Sequence, residues 1–252
     1  NTKLQGKLFH ELLVVYIYLD FYLYICFYKI IISEYSGETT SNIILGGDGD
    51  NRLYGEVGND TITGGQNNDT LWGGIGDDIL DGGIGDDTIY DEEGTDVITG
   101  GTSGKDLLIF KENTANTTTG IVINLSTNTA TDHFGNVENV TGIEDVKATS
   151  KNDTLTGSTV DNTLWGYAGD DTIYASLGND YIYGGSGSDT IYGEEGDDTI
   201  FAQNGSYSDD YTVDYVFGGA GKDTIYIASG DQANAGEGND TITFRAGSST
   251  AQ

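Results

Sequence analysis

Cysteine occurs once among the 252 residues, histidine twice, lysine and arginine together 10 times, and proline and methionine not at all. The lone Cys26 rules out an internal disulfide, so stability in an oxidising compartment has to come from another source. His10, His133 and Cys26 stand in no ligand spacing, which removes zinc, copper and iron centres. Acidic residues outnumber basic ones by 41 to 10, for a formal charge of −31, and that sign excludes nucleic acid as a direct partner. Signatures of catalysis are missing too. His10-Glu11 lacks the second histidine of a zinc-protease helix, there is no Gly-x-Ser-x-Gly elbow, and the glycine-rich loops lack the lysine of a phosphate-binding turn. The chain is therefore expected not to be an enzyme. Asparagine rather than methionine stands at position 1, so a longer or processed parent chain is expected.

What remains is rich in two things: 39 glycines and 41 carboxylates. Like charges a few ångströms apart repel by about 1 kcal/mol per pair even in water, so a compact monomer needs a cationic partner. Metal ions, a basic protein or plain disorder would each answer that need. Disorder is weakened by regularly placed Ile, Leu, Tyr and Trp, which acidic disordered chains lack.

The regularity has a period of nine. From Gly46 the chain reads GGDGDNRLY, GEVGNDTIT, GGQNNDTLW, GGIGDDILD, GGIGDDTIY and DEEGTDVIT without a gap. After Gly100 the register slips by one and GTSGKDLLI resumes it. A second array runs from Ala148 to Phe201, and GGAGKDTIY and AGEGNDTIT follow from Gly218 and Ala235. This divides the chain into an apolar segment 1–36, a first repeat block 37–110, a spacer 111–147 with short strands such as Ile121 to Leu125, and a second block 148–252 interrupted at 202–217.

Each unit is half turn and half strand. Glycines at the first, second and fourth places permit a tight loop, and the last three residues are strand formers whose middle member is Leu or Ile. Stacked units make a thin all-β solenoid of parallel strands about 4.8 Å apart. One apolar side chain per unit contributes about 2 kcal/mol, against roughly 1 to 2 kcal/mol of backbone entropy for every ordered residue. The apolar row alone loses. The sixth place holds Asp60, Asp69, Asp78, Asp87, Asp96 and Asp106, then Asp153, Asp171, Asp180, Asp189 and Asp198, and later Asp223 and Asp240. Stacking aligns these carboxylates, and hard oxygen donors beside glycine-exposed carbonyls suit Ca²⁺, which takes 6 to 8 oxygens at about 2.3 to 2.6 Å.

GGIGDDTIY and GGSGSDTIY resemble the hemolysin-type calcium-binding nonapeptide of RTX proteins, over about 46 to 110, 148 to 201 and 218 to 243. The resemblance implies a parallel β-roll, a right-handed coil of two units per turn, with multiple calcium ions between successive turns. It implies the Asp side chains named above as ligands, supported by carbonyls near Gly58, Gly76, Gly85, Gly169, Gly187 and Gly196. It also implies type I secretion machinery as partner, passage out of the cell unfolded, and calcium-driven folding outside. Asn51 and Asn162 replace the sixth-place Asp, and Asp91-Glu92-Glu93 opens a unit without glycine; calcium sites there are expected to be weak or absent.

At the ninth place, alternate units put Tyr54, Trp72 and Tyr90 in one outer column and Trp165, Tyr183 and Phe201 in another. A ladder of stacked rings is the preferred reading, and a surface that binds glycan or protein is the alternative. Residues 12 to 32 approach the length of a membrane span, but Asp20 and Lys29 interrupt them. For this non-repeat segment a membrane helix, a docked cap and sequence foreign to the native structure all stay open. Two functions fit: a calcium-dependent folding module of an extracellular, secreted protein whose cargo lies elsewhere, or a structural or adhesive cell-surface protein.

Overall fold

The computed structural model describes residues 40–112, 119–203 and 211–245, together with the backbone of 17–19 and 22–24. The latter form a unit of their own, in which Ile17–Leu19 pairs antiparallel with Tyr22–Tyr24. These six residues are strand, where the sequence left a helix open; the remainder of 1–36 up to Thr39 lies outside the described residues. Among the described residues no helix is long and apolar enough to cross a membrane.

From residue 40 the chain alternates between two long sheets, one of 10 strands and one of 12. The repeats dictate this alternation. Residues 18 apart are register partners, as in Leu53 with Leu71 and Ile62 with Leu80, so two nine-residue units make one coil and successive units supply opposite sheets. The eighth-place side chains of both sheets point inward and are buried, from Leu53 and Ile62 through Ile200 to Ile225. Seventh and ninth places face outward, as the period of two along a strand requires. The expected core is thus observed, one branched side chain thick per strand.

In several strands the glycine pair that follows does not end the strand. In the 12-stranded sheet, Thr61–Gln66 and Ile79–Ile84 run on through the next unit's first three places. Gly65, with φ +119, still pairs with Gly47 and Gly83 across the sheet. The one-residue slip near position 100 is absorbed in the same region. Gly83 pairs with Gly101 but Ile84 with Ser103, so the extra residue is Thr102 in a bulge, and Gly100 keeps the first place.

The spacer does not break the solenoid. Val137–Thr141 pairs parallel with Val97–Ser103, and Asp145–Lys147 joins Leu107–Phe110 to Thr163–Ala168. One excursion is added, in which Thr129–Thr131 runs antiparallel between Val122–Asn124 and Val137–Thr141. Both sheets therefore continue from the first block into the second. Tyr215–Ala220 likewise carries the 12-stranded sheet past the second interruption. Because each coil packs only on its neighbours, a hole in the row is not shared out over a broad core. Ile173→Ala, at a fully buried position, is expected to lower stability by about 3 kcal/mol, read as a fall in Tm at fixed calcium.

Candidate metal centres

The sixth-place carboxylates form two ladders, one along each row of turns. The backbone N–H of each sixth-place residue donates to Oδ1 of its counterpart one coil on: Asn42 to Asp60, Asp60 to Asp78 and Asp78 to Asp96 on one side, each at 2.7 to 2.8 Å. On the other side Asn51 donates to Asp69, Asp69 to Asp87 and Asp87 to Asp106 at 2.7 to 2.8 Å. The second block repeats this from Asp153 through Asp171, Asp189 and Asp214, and from Asn162 through Asp180, Asp198, Asp223 and Asp240. Strand pairing in register places each N–H opposite the next carboxylate, so the ladder is a direct product of the nine-residue period.

Only one oxygen of each carboxylate is used in this way. Oδ2 of Asp60, Asp78, Asp87, Asp171, Asp180, Asp198 and Asp223 is buried and accepts no hydrogen bond. A buried carboxylate oxygen without a donor is strongly disfavoured, and here it meets further oxygens. A β-carbon built on Gly55 would stand 2.5 Å from Asp60 Oδ2 and closer still to the Gly73 carbonyl oxygen. Two oxygens so placed lie within about 5 Å of each other, the span across one Ca²⁺ at about 2.3 to 2.6 Å per bond. First-place glycines 82, 193 and 218 show the same convergence with Asp87, Asp198 and Asp223. The donor set is entirely oxygen, negatively charged and repeated, and it fits a hard divalent cation.

Burial pushes these carboxyls up. Asp78, Asp106, Asp171 and Asp180 rise from 3.8 to about 7, and Asp87, Asp96 and Asp198 to about 6, desolvation outweighing the backbone hydrogen bond each accepts. Neighbouring carboxylates add to the rise. The fold thus holds its acids where, without a counter-charge, they resist ionisation.

The sequence-derived candidates are not all alike. Asp153 stands in the ladder, but its Oδ2 accepts from the Thr149 N–H at 2.8 Å and from the Thr149 hydroxyl at 2.9 Å, so protein donors already satisfy it. Asp240, in the last described coil, is only half-buried. Gly58, Gly76, Gly85, Gly169, Gly187 and Gly196 all have positive φ, between +112 and +144, which lets the turns stack closely. The Gly187 carbonyl accepts the Thr212 hydroxyl at 2.8 Å. The two asparagines behave as neutral substitutes. Asn51 Nδ2 donates to the Gly49 carbonyl at 2.5 Å, and Asn162 Nδ2 to the Glu144 carbonyl at 2.7 Å; an amide N–H there supplies the positive end that the other turns lack.

Besides Asn42, four acidic ladder members were not anticipated: Glu138, Glu144, Asp214 and Asp231. Asp96 N–H donates to Glu138 Oε2, and Asp106 N–H to Glu144 Oε2 at 2.9 Å. Asp189 N–H donates to Asp214 and Asp214 N–H to Asp231, at 2.9 and 3.2 Å. Each is followed by the strand half of a repeat unit, as in Glu138-Asn-Val-Thr, Glu144-Asp-Val-Lys and Asp214-Tyr-Val-Phe. Fifth-place Asp and Asn form a second, exposed ladder of opposite sense, with Asp86 N–H on Asn68 and Asp170 N–H on Asn152, both at 3.0 Å.

The aromatic columns are stacked ladders. Tyr54, Trp72 and Tyr90 lie 4.3 and 4.8 Å apart between ring centres, and Trp165, Tyr183 and Phe201 at 5.7 and 4.8 Å, with planes within 11° of parallel. They belong to one sheet and one column, interrupted only by Ile109 and Lys147. Lys147 Nζ lies 5.1 Å from the centre of the Trp165 ring. A further column, Tyr174, Tyr192 and Phe217, stacks on the other sheet at 4.9 Å per step.

The family comparison agrees with this geometry. A family model described as "RTX calcium-binding nonapeptide repeat (4 copies)" matches residues 36–71, 72–104, 148–182, 174–207, 213–231 and 228–251, more than half of the chain. No curated protein matches. Among solved structures, the extracellular lipase LipA from Serratia marcescens is similar with a TM-score of 0.30 and 19% sequence identity, covering 77% of this chain and 38% of that one. The chain thus spans well under half the length of that lipase.

Proposed function

This chain belongs to the RTX calcium-binding nonapeptide repeat family, and from that footing we propose that its β-roll is a non-catalytic module that couples calcium to folding outside the cell. The observation that carries the proposal is the row of buried, unsatisfied Oδ2 atoms facing glycine-exposed carbonyls. Ca²⁺ held by Asp60, Asp78, Asp87, Asp171, Asp180, Asp198 and Asp223 supplies the positive charge that these turns require. Sites of the affinity typical of extracellular modules, about 10⁻⁴ to 10⁻³ M, stay empty in a calcium-poor cytosol and fill outside. A chain of net charge −31 repels itself open in the first setting, as export through a type I secretion channel requires, and is neutralised in the second.

Occurrence of these repeats in secreted proteins supports an extracellular location. The alternative of a glycan- or protein-binding aromatic strip has less support, because the ring faces that a sugar would stack on are used by one another. Circular dichroism of the full chain during calcium titration tests the proposal. A cooperative gain of β signal at submillimolar to millimolar Ca²⁺ is expected, with little response to Mg²⁺, which demands octahedral geometry at about 2.0 to 2.1 Å. An equal response to both ions, or none to either, would sink it.

A further inference from the structure

The unit at 91–99 departs from its neighbours in a way that adds donors where the repeat pattern predicts a poor site. Asp91 takes the first place, which is glycine in the adjoining units, and its side chain enters the space that a bare α-carbon leaves between turns. It is 1% exposed, and neither of its carboxylate oxygens has a hydrogen-bond partner. Asp96, at the sixth place, is buried on one side of it. The next coil along this ladder comes from the spacer and offers Glu138, whose longer side chain receives the Asp96 N–H on Oε2 and leaves Oε1 buried without a partner. One oxygen from each of Asp91, Asp96 and Glu138 lies within 4.8 Å of the other two, and this is the sole such triad among the described residues.

Three buried carboxylates bring three formal negative charges into one small volume, with Asp132 adding to the repulsion on Asp91. The largest charges that act on Asp91, those of Glu138, Asp96, Asp132 and Glu92, are all negative. Oxygens within about 5 Å of each other all reach a single hard cation at about 2.3 to 2.6 Å. We propose that Asp91, Asp96 and Glu138 form a dedicated divalent-cation site of the calcium class, distinct from the one-carboxylate turns, which clamps the spacer onto the first repeat block. The proposal rests on the calcium reading above only for the identity of the ion. More carboxylates per ion mean tighter binding in oxygen-ligand sites, so this site fills before the turns do.

Equilibrium dialysis of the full chain against graded free ⁴⁵Ca²⁺ tests it, with Asp91→Gly and Glu138→Gln beside the wild type. Asp91→Gly restores the residue that the adjoining units carry, so the fold is retained, and circular dichroism at saturating calcium checks this. In the wild type one ion is expected to bind about tenfold or more tightly than the rest. Both variants are expected to lose that first step and keep the later ones. A wild-type isotherm without a separate first step, or a first step unchanged in both variants, overturns the site. A first step that persists while all later binding is absent would instead overturn the turn sites and leave the triad standing.

Discussion

At pH 8 the calcium-free chain is expected to be unfolded, and acidification to about pH 5 is expected to restore part of the β structure that calcium restores at neutral pH. The carboxyls of Asp78, Asp106, Asp171 and Asp180 rise to about 7 in the folded chain, against an ordinary value of 3.8. Between those limits the folded state binds more protons than the unfolded state, so stability falls as pH rises through the window and is lowest above about pH 7. A proton thus does at low pH what a cation does at high pH: it removes an unpaired buried charge. With calcium present the dependence reverses, because protons compete for the ligand oxygens. The affinity of a turn whose carboxyl sits near 7 is expected to weaken about tenfold for each pH unit below that value. Circular dichroism from pH 5 to 8, with chelator and with millimolar calcium, reads both slopes. Two slopes of the same sign would mean that these carboxylates are not what holds the metal-free coil open.

Gly196→Ala is expected to be among the most damaging single methyl additions in the chain. Gly196 has φ +140, and a β-carbon on it would overlap the Gly178 carbonyl oxygen of the preceding coil. Neither partner can yield easily, since Gly178 N–H is bonded to the Glu195 carbonyl at 3.1 Å and Gly196 N–H to the Ala220 carbonyl at 2.9 Å. Strained backbone and a forced separation of two coils together are expected to cost about 3 kcal/mol or more. The calcium midpoint of folding should rise and Tm at fixed calcium should fall. Gly49→Ala is the comparison, because Gly49 also has positive φ, +93, but nothing within 4 Å of an added carbon. It should lose only about 1 to 2 kcal/mol, from the left-handed conformation. Equal losses at the two positions would show that turn-on-turn contact contributes nothing.

The nine-residue period carried most of the architecture because a two-unit coil turns sequence spacing directly into spatial neighbours. Leu53, Ile62 and their successors are buried because they stand at the eighth place, and Asp78 meets Asp60 and Asp96 because 18 residues separate each pair. Periodicity failed where turns change length while strands do not. Glu138, Glu144 and Asp214 keep the acidic-x-Val-x half of a unit but follow turns of other lengths, so a search in steps of nine passes over them. Pairing across the sheets puts them back in the ladder, since a sheet registers strands and is indifferent to the length of the loop between them.

Chemistry at individual turns was decided in three dimensions. Asp153 has the right residue at the right place, yet Thr149, at the second place of the same unit where many units carry glycine, folds back to satisfy it. Asp91 looks like damage to a repeat, yet it lies buried against Asp96 and Glu138, 42 residues apart from each other in the chain. Composition and period determine that this chain is an acidic, oxygen-lined solenoid suited to hard cations. Which carboxylates are left without a donor depends on hydrogen bonds and burial within each turn, and those exist only once neighbouring coils have closed over one another.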